Sequence, residues 1–282
     1  MRFIVVLFLY LFVSPLFAAN EITTQIHDID MGQVNEEPLI FLTTGQVVKF
    51  PEGIKTDYTK LLEAMRNKVW FAITINSDRE ITQIREIDAP PSQYQKSLQF
   101  PDTNEPYVPS ILKDLDHARS FFYDARTSAR KDSQCYNRAH VWSYEWRKNR
   151  NLYSSKAWIF FTKRYIRKFK FEWWFHVAPM VHVVVNNSVK ERVMDIKYAK
   201  GPLKLKQWSG IFMRNNADCP VVEKYTDQAN HPESGSCFLM KSSMYYYQPV
   251  DLERTEITGN LKTRWLEPEV KHAYKDAFEI EL

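Results

Sequence analysis

The sequence predicts an α+β fold built from a small β-α-β-β domain and a larger domain in which helices precede an antiparallel sheet. The first observation is that strand and helix periodicities come before a stretch at 97–110 that has three prolines and no period. The second is that two helical patterns and then a series of strand patterns follow this stretch, an order typical of α+β domains. We therefore divide the chain into segments 1–19, 20–105 and 106–282.

Residues 1–19 have the pattern of a secretory signal peptide. Arg2 precedes a short apolar run at 3–13, and the small residues Ala18 and Ala19 follow. The run is shorter than the roughly 20 residues that a transmembrane helix needs. We expect a secreted or periplasmic protein with no integral membrane segment after signal cleavage. An uncleaved anchor is the alternative.

The small domain is predicted to place one helix among strands. Residues 20–35 show no clear pattern, and we expect them to be a poorly ordered lead-in. Leu61, Leu62 and Met65 fall at helical spacing among charged residues, which predicts a helix. The predicted elements are one or two strands about Thr44-Gly45 within 40–50, a helix at 57–68, and strands at 69–76 and 79–87.

The larger domain begins with two predicted helices, at 111–131 and 133–147. A basic run at 163–170 is either a solvated face or a site for an acidic partner or an anionic membrane. The remaining predicted elements are strands at 156–163, 169–185 and 189–199, a short helix at 203–214 and a charged C-terminal helix at about 266–279.

The composition of the 282-residue chain excludes several classes of function. Lys and Arg number 38 against 34 Asp and Glu, and a net charge of +4 is too weak to indicate a nucleic-acid-binding protein. Only 7 glycines are present, and no GxGxxG or P-loop pattern occurs. Neither HExxH nor CxxC is found, so we expect no metal site and no cofactor.

The three cysteines are an odd number for an exported protein. Cys219 and Cys237 lie close together around a loop-like stretch, and we expect them to form a disulfide bond. Cys135 is then a free thiol. It is either a buried residue with no further role or a functional nucleophile.

Cys135 is predicted to lie in the first turn of a helix, because Ser133 is a favourable N-cap residue. The helix dipole and the unpaired backbone N–H groups there favour a thiolate and lower the pKa of a cysteine. The same N–H groups can bind an oxyanion. A nucleophilic cysteine that points from a helix start into a sheet is the arrangement of papain-like thiol enzymes.

A predicted β-hairpin brings a histidine and a carboxylate together. If Asn186-Asn187 forms a two-residue type I′ turn, Asp195 falls opposite Ala178. Asp195 is then a diagonal neighbour of His176 on the same face, within reach of its imidazole. A three-residue turn would place Asp195 on the other face of the sheet.

Other interpretations of the same residues remain open. His176 could be a core histidine on an aromatic-rich strand, although the predicted pairing favours catalysis. Asp218 is an alternative carboxylate. The predicted register also sets Glu191 opposite His182, a favourable charged pair.

Three segments together resemble the bacterial protein-glutamine glutaminase family. They are QCYNRAHVW, WWFHVAPMVHV and ERVMDIKYA, and the resemblance covers about 110–215. It implies a fold like the transglutaminase and papain cores and a catalytic triad of Cys135, His176 and Asp195. The chain departs from the family pattern at Ile196, where the family typically has proline, and it has fewer cysteines than secreted members of the family.

The resemblance implies hydrolysis of glutamine side chains to glutamate in proteins or peptides, with a thioester intermediate and release of ammonia. The partner is then a protein or peptide with an exposed glutamine. Trp173 and Trp174 are candidates to line the cleft, although alternation puts them on opposite faces. By analogy, segment 20–105 would block the site or dock the substrate. Transglutaminase activity, thiol peptidase activity and a non-catalytic binding protein on the same scaffold are the alternatives.

Overall fold

The computed structural model describes residues 20–33, 36–50, 58–89, 107–213, 219–228 and 235–282. The proposed signal peptide lies outside these residues. Residues 20–89 are called the N-terminal unit below and residues 107–282 the C-terminal unit. Among the helices of the described residues, none is long and apolar enough to cross a membrane.

The N-terminal unit is an antiparallel sheet with one helix. The spatial order of its strands is β3-β2-β1-β4-β5, and its core contains Ile40, Ile73 and Leu61. The elements are β1 (Asn20–Asp30), β2 (Leu39–Leu42), β3 (Val47–Lys49), α1 (Tyr58–Arg66), β4 (Trp70–Ile75) and β5 (Ile81–Ile87). The prediction of strands, a helix and two more strands is confirmed for β2 to β5.

The expectation of a poorly ordered lead-in is wrong, because β1 is the central strand of this sheet. Ile22, Thr24 and Ile26 alternate along one face, and a register shift follows Ile26. Ile29 is buried beyond this irregularity. The alternation is weak in the sequence because the polar Thr24 occupies a buried position and the register shift changes the phase before Ile29.

The C-terminal unit packs helices on a mixed sheet. The spatial order is β10-β7-β8-β6, β9 pairs with β8, and β6 runs parallel to β8. The elements are β6 (Ile111–Leu112), α2 (Leu115–Tyr123), α3 (Cys135–Arg150), β7 (Ser155–Phe161), α4 (Lys163–Phe169), β8 (Phe175–Val185), β9 (Ser188–Val193), α5 (Leu205–Phe212), β10 (Cys237–Ser243), α6 (Pro249–Thr258) and α7 (Glu267–Phe278).

Several boundaries differ from the sequence prediction. The predicted helix at 111–131 begins only at Leu115, since Asp114 caps it by accepting a hydrogen bond from the His117 N–H. The basic run forms α4, which Thr162 caps in the same way, and β8 therefore starts at Phe175. Helix α6 was not predicted.

The β8–β9 hairpin has the predicted register, but the strand predicted at 189–199 ends at Val193, so Asp195 lies two residues beyond β9 and is not part of the ladder. Val185 pairs with Ser188 and His182 with Glu191. Asn186 and Asn187 both have positive φ angles, 49° and 57°, as a type I′ turn requires.

The tip of the β2–β3 hairpin, residues 43–46 with the start of β3 at Val47, contacts the C-terminal unit. The backbone N–H of Val47 donates to the carbonyl oxygen of Glu172 at 2.9 Å, and the N–H of Trp174 donates to the carbonyl oxygen of Gly45 at 3.0 Å. Gly45 has φ +97°, and a Cβ atom there would lie 2.9 Å from Cε1 of Phe175. The close approach therefore needs a glycine.

We predict that Gly45→Ala destabilises the protein more than Gly259→Ala. Gly259 also has a positive φ, +69°, but a Cβ atom there meets nothing within 4 Å. Backbone strain alone costs about 1–2 kcal/mol, and the clash with Phe175 adds roughly 1–3 kcal/mol. Thermal unfolding of both variants measures the difference, with about 2–4 °C expected per kcal/mol. Equal shifts would mean that the tip is not packed against Phe175.

Candidate active site

Cys135 is the first residue of α3 and is partly buried. The predicted cap by Ser133 is wrong, since the N-cap residue is Gln134 and it makes no side-chain capping bond. Ser133 lies one residue too early. Its hydroxyl donates to the carbonyl oxygen of Arg130 at 2.7 Å and accepts from Arg138 Nη1 at 3.0 Å.

A carboxylate from α7 takes the place of the missing cap. Asp276 Oδ2 accepts hydrogen bonds from the backbone N–H of Gln134 at 3.2 Å and from Asn137 Nδ2 at 2.7 Å. A negative charge at a helix N-terminus is stabilising. Asp276 thereby holds the start of α3, and with it Cys135, from a distant part of the chain. The sequence carried no signal for this contact.

His176 and Asp195 form a buried pair. His176 Nε2 lies 2.8 Å from Asp195 Oδ2, and the two residues are each 1% exposed. Trp208 Nε1 donates to the same carboxylate oxygen at 2.8 Å. Because Nε2 faces Asp195, Nδ1 is the imidazole nitrogen left to interact with the thiol of Cys135.

The three groups favour a thiolate and an imidazolium. Burial alone raises the pKa of Cys135, but the hydrogen bond and charge of His176 outweigh it and lower that pKa. Burial alone lowers the pKa of His176, whereas the charge and hydrogen bond of Asp195 raise it to about 9. Burial likewise raises the pKa of Asp195, and His176 and Trp208 bring it below its ordinary value. These directions favour an ion pair between the sulfur and the imidazole over two neutral groups.

Aromatic rings enclose the imidazole. The ring centroid of His176 lies 4.5 Å from that of Phe212, 5.2 Å from that of Tyr198 and 6.1 Å from that of Trp173, which is stacked on it. These rings limit the ring orientation of His176. They also reduce water access, which strengthens its interaction with Asp195.

A cavity of about 600 Å³ opens beside the sulfur and is lined by Cys135, His176 and Trp173. Gln46 of the β2–β3 tip lines it from the N-terminal unit. The side chain of Trp174 packs against the N-terminal unit and does not line this cavity. Its Nε1 donates to the carbonyl oxygen of Leu42 at 2.7 Å, and its ring stacks on His27 at 4.1 Å. Contact between Trp174 and a substrate stays a prediction, and the N-terminal unit covers that residue here.

The other predicted residues are placed as follows. Cys219 and Cys237 form a disulfide bond, which leaves Cys135 as the free thiol. Asp218 lies outside the described residues. Among the described residues, no group of three or more His, Cys, Asp or Glu side chains could hold a metal ion.

Sequence reasoning missed Trp208 and Asp276 as parts of this site. Trp208 lies on the apolar face of α5 and its sequence context is that of any core tryptophan. Only the three-dimensional structure shows that its N–H reaches Asp195.

Known families and structures resemble this chain. Residues 115–212 match the family model described as Glutaminase, and this segment contains Cys135, His176 and Asp195. A search of curated proteins found no match.

Two crystal structures share the fold. One is of pro-protein-glutaminase, with 15% identity and a TM-score of 0.51, and covers 80% of this chain and 83% of that chain. The other is of a mutant of pro-protein-glutaminase, with 15% identity and a TM-score of 0.54, and covers 89% of each chain. Family model and structures together support an enzyme of the protein-glutaminase kind, at low sequence identity.

We predict that Asp195→Asn raises the pKa of Cys135. Without the carboxylate, the pKa of His176 falls from about 9, so the thiolate loses its cationic partner at lower pH. Alkylation of Cys135 by iodoacetamide should then slow about tenfold at pH 6 and little at pH 9. Peptide mass spectrometry measures the rates, and Asp88→Asn, an exposed carboxylate outside the cavity lining, is the matched control. An unchanged pH profile would show that Asp195 does not act on the thiol.

Proposed function

We propose, on the premise that this chain is an enzyme of the protein-glutaminase kind, that it hydrolyses glutamine side chains of proteins or peptides to glutamate and ammonia. The observation that carries the proposal is the imidazole of His176, held by Asp195 at 2.8 Å and lining the same cavity as the free thiol of Cys135. We further infer that the C-terminal unit is a catalytic domain with a papain- or transglutaminase-like core, and that residues 20–105 are a separate domain.

In the first half of the proposed reaction, Cys135 is the nucleophile. Its thiolate attacks the carbon of the glutamine amide, and the carbonyl oxygen becomes an oxyanion. The backbone N–H of Cys135, at the start of α3, is the candidate donor to this oxyanion. His176 then transfers its proton to the amide nitrogen, the C–N bond breaks, and ammonia leaves. A thioester and a neutral imidazole remain.

In the second half, water replaces ammonia. His176 removes a proton from the water as its oxygen attacks the thioester carbon, and the C–S bond then breaks. The products are a glutamic acid side chain, the thiolate and the imidazolium, so the site returns to its starting charges. Asp195 keeps the imidazole in one orientation throughout. If a lysine amine attacked instead of water, the same site would act as a transglutaminase.

Substrate binding is proposed for the cavity beside Cys135. Its volume of about 600 Å³ is ample for a glutamine side chain, and Trp173 forms part of its wall. A flat aromatic wall packs against the apolar methylene groups of a glutamine and leaves the amide for the polar groups.

We predict that the protein releases ammonia from glutamine-containing protein once its N-terminal unit is removed, and that Cys135→Ala lowers this rate by at least about 10⁴-fold. Ammonia assay and a mass increase of about one dalton at glutamine, which hydrolysis of an amide requires, measure the reaction. Asp88→Asn is again the control for folding and yield. Incubation with a primary amine distinguishes transfer from hydrolysis. A substrate left unmodified by the wild-type protein, with its N-terminal unit removed, would contradict the proposal.

We infer that the protein is exported. Residues 1–19 have the pattern of a signal peptide. The disulfide bond between Cys219 and Cys237 is consistent with an oxidising compartment.

We also propose that the N-terminal unit blocks the site. The β2–β3 tip lines the cavity through Thr44 and Gln46, and its backbone pairs with the segment at Glu172 and Trp174, next to His176. Phe41 on the same hairpin is part of the core of the C-terminal unit. A protein substrate cannot reach Cys135 from this side while the tip remains in place.

Ion pairs hold the N-terminal unit on the basic helix α4. Arg167 Nε lies 2.7 Å from Asp30 Oδ2, and Arg167 also donates to the carbonyl oxygens of Asp30 and Glu37. Lys163 Nζ lies 2.6 Å from Asp28 Oδ2. An acidic partner for the basic run is thus found within the chain itself.

We predict that Arg167→Ala raises the activity of the full chain by about tenfold, because charged hydrogen bonds that close the site contribute roughly 1.5–3 kcal/mol. Arg85→Ala is the matched control. It removes an exposed arginine that pairs with Glu21 inside the N-terminal unit, and it should leave the rate unchanged. Rates of ammonia release measure both. Equal rates for all three proteins would contradict blocking by this unit.

A further inference from the structure

We propose that Arg138 is a positioning residue that balances the charge of Asp195 and so keeps Cys135 in the thiolate form. The inference deepens the proposed function, on which it rests for the roles of the three catalytic groups. It assigns a function to a buried cation that the reaction steps above do not use.

Arg138 lies one helical turn after Cys135 on α3, so the two side chains share a helix face. Arg138 is 3% exposed, yet it is one of the residues that line the cavity beside the sulfur. Nη1 donates to the carbonyl oxygen and to the hydroxyl of Ser133. Across the described ranges, no carboxylate oxygen forms an ion pair with Arg138 within 4.0 Å.

The charges of the site explain why a cation is needed there. The thiolate of Cys135, the imidazolium of His176 and the carboxylate of Asp195 sum to one negative charge. A net charge in a water-poor interior is costly. The guanidinium of Arg138 brings the sum to zero. The sum stays zero in the oxyanion intermediate, where the negative charge moves from sulfur to oxygen, and in the thioester, where the imidazole is neutral.

The pKa shifts of Cys135 and Asp195 agree with this balance of charges. Burial raises the pKa of Cys135 and of Asp195, and His176 is the main group that lowers both. The charge of Arg138 acts on both pKa values in the same direction as His176. Arg138 thus favours the two anions of the site, and it contacts neither of them through a hydrogen bond.

The other charged groups near Cys135 are engaged elsewhere or exposed. Lys156 Nζ binds His140 and the carbonyl oxygen of Tyr246, and burial lowers its pKa to about 7. Other titratable groups that line the cavity are Asp276, which holds the helix start, Asp132, which pairs with Arg130, Glu172, which pairs with Arg79, Glu21, which pairs with Arg85, exposed Lys131 and His272, and Tyr198, whose pKa is raised by burial. Half-buried Lys197 interacts with Arg138 and Asp132.

A purely structural role for Arg138 makes a different prediction. Its hydrogen bonds to Ser133 brace the turn before α3. Arg138→Lys keeps the positive charge and loses the two hydrogen bonds from Nη1 to the carbonyl oxygen and the hydroxyl of Ser133. Arg138→Gln keeps an N–H donor and loses the charge. The two variants therefore separate charge from bracing.

The test is the pH profile of Cys135 alkylation by iodoacetamide in the full chain. Cys135 is the free thiol, and the reaction needs no glutaminase activity. We expect Arg138→Gln to shift the apparent pKa of the thiol up by about one unit and Arg138→Lys to shift it much less. Equal shifts in both variants, or no shift in Arg138→Gln, would overturn the proposal.

A double-mutant cycle provides the second measurement. If Arg138 balances Asp195, Arg138→Gln should lower Tm less in an Asp195→Asn background than in the wild type, since the anion to be balanced is gone. A brace for Ser133 would lower Tm equally in both backgrounds, and that result would overturn the proposal. A shifted alkylation profile in a protein that releases no ammonia would refute the glutaminase reaction and leave the role of Arg138 intact.

Discussion

The hydrogen bond between His176 and Asp195 is the constraint on which the site depends. A buried carboxylate is costly unless hydrogen-bond donors and positive charge surround it. The donors to Asp195 come from β8 and from α5, so the sheet and that helix must pack before the charge can be buried. Phe212 and Tyr198 then shield the pair from water. The geometry of the candidate site is therefore a consequence of core packing, and α3 contributes the sulfur.

The approach of Asp195 to His176 could be predicted because a two-residue turn fixes the register of β8 and β9, although Asp195 lies two residues beyond the end of β9. Helix α1 was predictable from apolar residues at helical spacing, and the helices α5 and α7 were predicted as well. The position of Cys135 at a helix start was also predictable, although for the wrong reason. Its cap is not the nearby Ser133 but the distant Asp276.

The features that could not be predicted are those that depend on distant contacts or on weak patterns. Strand β1 alternates polar threonines with few apolar residues, and only pairing on both sides makes it the centre of a sheet. The boundary between helix α4 and the aromatic strand β8 that follows it gave no signal in the sequence. Trp208 and Asp276 belong to the site through contacts across the fold, and such contacts leave no periodic signal in the chain.

The two-residue turn at Asn186-Asn187 has a consequence for the evolution of this chain. Exposed loops usually accept insertions and deletions more readily than strands do. Both asparagines are exposed, yet one added residue would turn the following strand over and carry the carboxylate away from the imidazole. Lineages that keep the chemistry should therefore vary the residues of this turn but conserve its length, as though a solvent-facing loop were part of the interior.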